Sequence, residues 1–167
     1  MEKIQSLSKL AQLITQLKKG GKKIALITGC FDIVHLGHIN LFRFAKTHAD
    51  IVIVGLENDS TIKLYQKGID RPLNNLKNRL QFLAEFQSID YVFPIKKIIK
   101  NTFENYALYE QITKRLKPDF LVTNKSADGF LQEKRNRAKK FGIKLLLHRP
   151  SRRQSSTQII QKIESEL

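Results

Sequence analysis

Apolar residues in this chain gather in short blocks, separated by longer stretches of amphipathic composition. The block Ile24-Ala25-Leu26-Ile27, closed by Thr28-Gly29, is too short for a helix and predicts a buried strand. Four further blocks read the same way: Ile51-Val52-Ile53-Val54, Tyr91-Val92-Phe93 before Pro94, Phe120-Leu121-Val122 after Pro118-Asp119, and Leu145-Leu146-Leu147 after Gly142. Ahead of the first block, Ile4, Leu7, Ala11, Ile14 and Leu17 recur at helical spacing and predict an amphipathic helix over 2–19, stopped by Gly20-Gly21. Helix-like composition fills 39–46, 74–87, 102–116 and 129–141, and 158–163 reads as a closing helix. Short apolar strands alternating with helices predict an α/β fold, a doubly wound parallel sheet covered on both faces. No repeat, low-complexity tract or linker divides the chain, so one domain is expected over 1–167, with 1–20 its N-terminal helix.

Composition narrows the class. The 167 residues are 41% hydrophobic and 27% charged, which excludes a disordered tail, and no apolar run approaches the ~20 residues of a membrane span. A single cysteine, Cys30, excludes an internal disulfide and fits a reducing compartment. Met1-Glu2-Lys3-Ile4-Gln5 lacks the apolar core of a signal peptide, so a cytoplasmic location is expected. Thirty basic residues against fifteen acidic ones give a net charge of +15, which attracts polyanions without choosing among them.

In open parallel sheets, ligands bind beyond the carboxyl ends of the strands. The stretch after the first strand reads Gly29-Cys30-Phe31-Asp32-Ile33-Val34-His35-Leu36-Gly37-His38. Gly29 and Gly37 let backbone approach a ligand closely. A helix starting near Gly37 would aim free N–H groups and a positive dipole end at an anion, and two imidazoles on one face can donate to phosphate oxygens. Zinc on Cys30, Asp32, His35 and His38 is a weaker reading, because structural zinc usually draws ligands from two separated segments and no second cluster exists. Cys30 has no assigned base to activate it as a nucleophile.

This stretch resembles the GxFDxxHxGH signature of cytidylyltransferase-like nucleotidyltransferases, with every fixed position present. Asn58-Asp59-Ser60, Lys67-Gly68, Arg71-Pro72 and Arg79 are similar to the run that follows the second strand in that family, and Gln154-Ser155-Ser156-Thr157-Gln158-Ile159 to its ISTT-type segment. The spacing looks most like sugar-phosphate adenylyltransferases of the ADP-heptose type. The chain departs from the family after the fourth strand, where Thr123-Asn124-Lys125-Ser126-Ala127-Asp128 stands in place of a Gly-Asp pair.

The resemblance implies a Rossmann-like fold of the HIGH type. It also implies Mg²⁺-dependent transfer of AMP or CMP from ATP or CTP to a phosphorylated sugar or polyol, with release of pyrophosphate. Such an acceptor phosphate is already ionised near neutral pH, so alignment and charge neutralisation are what the site must supply. By resemblance, His35, His38 and Lys67 (or Lys63) act on the transferring phosphoryl group. Gly29, Cys30, Phe31, Asp32, Gly37, Arg79, Asp128, Ser155, Ser156 and Thr157 surround the nucleotide, Asp32 setting either the loop or the Mg²⁺-bound nucleotide; the metal ligands stay open. Arg79 could instead make a surface ion pair, and Ser155 with Gln158 a capping box. Asp90 is a turn residue or a functional one.

Alternatives keep the chemistry and change the acceptor, giving an FMN adenylyltransferase or a glycerol-3-phosphate cytidylyltransferase. A third is a non-catalytic basic nucleic-acid-binding protein, supported by Lys134-Arg135-Asn136-Arg137 and Lys139-Lys140. No nucleic-acid-binding motif accompanies that charge, so nucleic acid is not the expected partner. The resemblance spans about 22–163, so the helix over 1–20 lies outside the family core and could cover a second copy, which leaves a homodimer open.

Overall fold

A computed structural model describes residues 2–65, 71–98, 102–125, 129–149, 159, 162–163 and 165–166. Five strands form one all-parallel sheet in the order β3-β2-β1-β4-β5: β1 (Ile24–Gly29), β2 (Ile51–Glu57), β3 (Tyr91–Ile95), β4 (Phe120–Asn124) and β5 (Lys144–His148). Each of the five apolar blocks is a strand. Several run past the block toward their polar ends, because the parallel ladder continues through Thr28↔Gly55 and Gly29↔Leu56 and carries β3 across Pro94. Pro94 is tolerated because β3 is an edge strand.

The six helices are α1 (Leu7–Lys19), α2 (Leu36–Lys46), α3 (Asp59–Tyr65), α4 (Leu76–Ala84), α5 (Thr102–Leu116) and α6 (Leu131–Phe141). Side chains alternate across β1. Ala25 and Ile27 join Leu41, Phe42 and Leu83 from α2 and α4 in one core, while Ile24 and Leu26 join Leu10, Ile14, Ile112 and Ala138 from α1, α5 and α6 in the other. This double coverage makes the fold a doubly wound α/β sheet. Strand order reverses between β1 and β4, which puts the binding crevice at their carboxyl ends.

Besides shifts of two to three residues at the ends of α4 and α6, two helix starts differ from the expectation and one helix is added. The first helix begins at Leu7 and not at residue 2, because Ile4 pairs with Val92 of β3 and Ser6 accepts the Lys9 N–H as an N-cap. The second begins at Leu36, three residues before the stretch of helix-like composition and one before Gly37, because His35 caps it. The third helix, α3, was not anticipated; Asn58 starts it by accepting the Thr61 N–H at 2.9 Å. Among the described residues, no helix is long and apolar enough to cross a membrane.

Candidate active site

The segment from Gly29 to His38 leaves β1 at its carboxyl end and turns into α2. Phe31 folds back in the left-handed region (φ 50°), and its ring packs over Gly29, where a Cβ would stand 3.1 Å from it. Gly29 therefore makes room for Phe31, whose ring also meets His38 and Phe42 at centroid distances of 5.3 and 5.4 Å.

His35 and His38 cap the helix reciprocally. The Gly37 N–H donates to His35 Nδ1 at 3.1 Å, and the His35 N–H donates to His38 Nδ1 at 3.4 Å. A backbone N–H can only donate, so both Nδ1 atoms are unprotonated and each neutral ring carries its proton on Nε2. The rings lie 3.9 Å apart between centroids. Burial, and secondarily His35 itself, pushes His38 down to about 4; burial lowers His35 as well. The pair is thus neutral at pH 7 and carries two Nε2–H donors at the α2 start, where the Gly37, His38 and Ile39 N–H groups already have partners within the cap.

Asp32 is almost fully enclosed and both of its carboxylate oxygens are hydrogen-bonded. Oδ2 accepts from Arg71 NH1 at 3.0 Å and from the Leu73 N–H at 2.9 Å, and Oδ1 accepts from the Asn74 N–H at 2.8 Å. The Asn74 side chain donates to the Asp32 carbonyl at 3.1 Å. Of its two expected roles, the contacts made by Asp32 are those of setting the loop.

Arg79 is 1% exposed, so it is not a surface ion pair. Its guanidinium donates to the carbonyls of Asn74, Cys30 and Glu57 and to Asp59 Oδ1, joining the loop after β1, the end of β2 and the start of α4. It meets the site through the Cys30 carbonyl. Burial pushes the Cys30 thiol up to about 11, which leaves it inert near neutral pH. Lys63 stands exposed on α3. Asp90 lies at the opposite end of the sheet, where it accepts from the Val52 N–H and from Lys46, a structural position.

Across the crevice, Lys134 donates to Thr123 at 3.2 Å and His148 pairs with Asn124 at 2.8 Å, so α6 and β5 order the end of β4. Lys67, Gly68, Asp128 and the Gln154–Gln158 segment, including Ser155, Ser156 and Thr157, lie outside the described residues. Sequence reading placed Asn58 in the run after the second strand without a role of its own, and passed over Asn74 and Asn75. The signal for the last two was an Asn pair ahead of an amphipathic run, since Asn75 is the N-cap of α4.

Among the described residues, no group of three or more His, Cys, Asp or Glu side chains could hold a metal ion, and the Asp32 carboxylate is enclosed by Arg71 and two backbone N–H groups. The described side chains therefore do not make a magnesium site by themselves.

Residues 26–162 match the model of the cytidylyltransferase-like family, and the chain belongs to that family. It is 34% identical over 164 residues to the bifunctional protein HldE of Sulfurimonas denitrificans, a match covering 98% of this chain and 31% of that protein. Against the bifunctional protein HldE of Campylobacter jejuni it is 42% identical over 117 residues, 70% of this chain and 23% of that protein. The chain thus spans less than a third of the length of these relatives. Among solved structures, the lipopolysaccharide core biosynthesis protein from Thermoplasma volcanium matches with a TM-score of 0.60 at 24% identity, covering 80% of this chain and all of that one. The pantoate-beta-alanine ligase of Francisella tularensis matches with a TM-score of 0.66 at 18% identity, over 99% and 78% of the two chains. These two likenesses concern the fold.

Proposed function

We propose that this chain is one nucleotidyltransferase domain, which moves a nucleotidyl group from an NTP, ATP before CTP, to a phosphorylated sugar or polyol. An acceptor phosphate oxygen bonds to the α-phosphorus, the bond to the β-phosphate oxygen breaks with its electron pair, and pyrophosphate leaves. The observation that carries the reading is the paired Nε2–H donors of His35 and His38 at the start of α2, in a chain 34–42% identical to HldE proteins. Donors fixed by backbone contacts need no reorganisation as charge shifts on the phosphoryl oxygens, which is the condition for selective transition-state stabilisation.

In this reading Gly29, Phe31 and Gly37 shape the phosphate turn, while Asp32, Cys30 and Arg79 position it through backbone contacts. By resemblance, Lys67, Ser155, Ser156 and Thr157 would bring charge and hydroxyls to the triphosphate, and Asp128 would fill the acidic role at the nucleotide. A divalent cation, Mg²⁺ by resemblance, would ride on the triphosphate and neutralise its charge. A cytoplasmic location and a homodimer belong to the same reading. The test is pyrophosphate release with each of four NTPs and a panel of sugar phosphates, polyol phosphates and FMN. Release that depends on NTP, Mg²⁺ and phosphorylated acceptor together is expected; equal release with a non-phosphorylated alcohol would overturn the proposed nucleophile.

A further inference from the structure

A cavity of about 320 Å³ opens between the loop after β1 and the exposed face of α4. It sits at the lower end of the about 300–1,000 Å³ found for small-molecule sites, a size for one sugar ring or a short polyol and not for a nucleoside triphosphate. Ile33 and Val34 line one side and Phe82 the other. Phe82 is 54% exposed, and its ring is held edge-to-face by Phe86 at 5.4 Å. Asn78, four residues earlier on the same helix face, uses its backbone N–H on Asn75, while no described residue takes its carboxamide. Asn74 gives its side-chain N–H to the Asp32 carbonyl and keeps its carbonyl oxygen for another partner.

The charge of the cavity wall is equally specific. Asp32, the carboxylate that lines it, has a side chain 1% exposed and is paired with Arg71 and two backbone N–H groups. Arg79 is the basic group on the wall, and its guanidinium is bound to the protein at four acceptors. The cavity therefore offers carboxamides and a flat aromatic face, with no open carboxylate to attract a cationic alcohol. Carboxamides both donate to and accept from hydroxyls, and an aromatic face takes an apolar C–H surface. Phe31 borders the cavity, and its ring lies 5.3 Å from that of His38, so the cavity begins one ring away from the proposed transfer site.

We propose that this cavity is the acceptor subsite, and that it takes the neutral polyhydroxyl body of a sugar or polyol phosphate, with C–H groups on Phe82 and hydroxyls on Asn74 and Asn78. This rests on the nucleotidyl-transfer reading and names the residues that select its acceptor.

The experiment measures pyrophosphate release by the full chain with mannose 1-phosphate, a manno-heptose 1-phosphate and glycerol 3-phosphate, with phosphocholine and FMN as cationic and flat aromatic controls. Asn78→Ala is expected to raise the acceptor KM by between about two- and tenfold, as for one neutral hydrogen bond, and to leave the ATP KM unchanged. Phe82→Leu keeps the apolar bulk and removes the flat face, so it should raise the acceptor KM as Phe82→Ala does. An unchanged acceptor KM in Asn78→Ala and Phe82→Leu overturns the assignment. So does preference for phosphocholine or FMN, or a Phe82→Ala variant that only dissociates a dimer. If the wild-type chain releases pyrophosphate with no acceptor, the transfer reading fails and the cavity is judged by binding alone. A shift of the Asn78 side-chain amide resonances with manno-heptose 1-phosphate, lost in Phe82→Leu, then supports a sugar phosphate subsite; no shift overturns it.

Discussion

Asp32 and Arg71 form a buried ion pair, 3.0 Å between Oδ2 and NH1, with side chains 1% and 8% exposed. It fastens the loop that carries the histidines to the segment leading into α4. Arg71→Ala would leave a carboxylate enclosed without its cation, a class of change that costs about 3–5 kcal/mol. Urea unfolding should show a loss of that order. Asp32→Asn in the Arg71→Ala background should recover part of it, by removing the stranded charge. A second loss, added in full, would show that the pair acts independently.

Arg79→Lys keeps the charge and loses the planar fork that reaches Asn74, Cys30, Glu57 and Asp59. A lysine has one nitrogen where three carbonyls and a carboxylate wait. The variant should be destabilised by several hydrogen bonds, each about 0.5–1.5 kcal/mol. It should also bind ATP more weakly, because the Cys30 carbonyl is no longer held. Calorimetric titration beside thermal melts separates the two effects. Wild-type stability would place the guanidinium elsewhere in solution.

His38→Asn retains an acceptor for the His35 N–H and removes the Nε2–H donor. The expected result is a fall in kcat of about 10²–10³ with ATP affinity and melting temperature nearly preserved. Weakened ATP binding at normal kcat would make His38 a ground-state contact.

Acid should destabilise the fold through the same residue. His38 is lowered from 6.5 to about 4 in the folded chain, so between these values the unfolded chain binds the extra proton. Stability from this group is complete above about pH 6.5 and is lost as pH falls through about 4, a contribution on the order of 3 kcal/mol. Urea midpoints measured from pH 4 to 7 should rise, and His38→Asn should flatten the rise. A slope identical in the variant would assign the acid sensitivity to other groups.

The Cys30 thiol, pushed up to about 11, should react slowly with a thiol reagent at pH 8, when about 0.1% would be thiolate. Unfolding in urea should restore the ordinary rate. Equal rates in both states would contradict the burial.

Much of this was written in local pattern. The five strands follow from apolar blocks bounded by Gly, Pro and Asp, because strands buried on both faces cannot alternate. The histidine pair was legible from its spacing around Gly37 and its place after β1. What sequence did not carry was the partner of each polar side chain. Arg79 looks like a helix-surface arginine until β2 and the loop after β1 fold around it, and Asp32 looks free until Arg71 arrives from 39 positions away. The helix start near Gly37 was legible to within one residue, but its cap was not, since histidine is not a usual N-cap and here accepts the Gly37 N–H through Nδ1.

The segment before α1 has a consequence for how the molecule behaves in a crowded solution. An edge strand with open N–H and C=O groups is a template for another chain. Here the Val92 N–H goes to the Lys3 carbonyl, and its own carbonyl takes the Gln5 N–H, at 2.9 Å each. Pro94, two residues on, has no N–H to offer. The β3 margin is thus closed by the chain's own first residues, while the opposite margin, β5, is five residues long and begins with Lys144. One edge is occupied and the other is short and charged, so this all-parallel sheet gives a neighbouring strand little to grow on during expression or concentration.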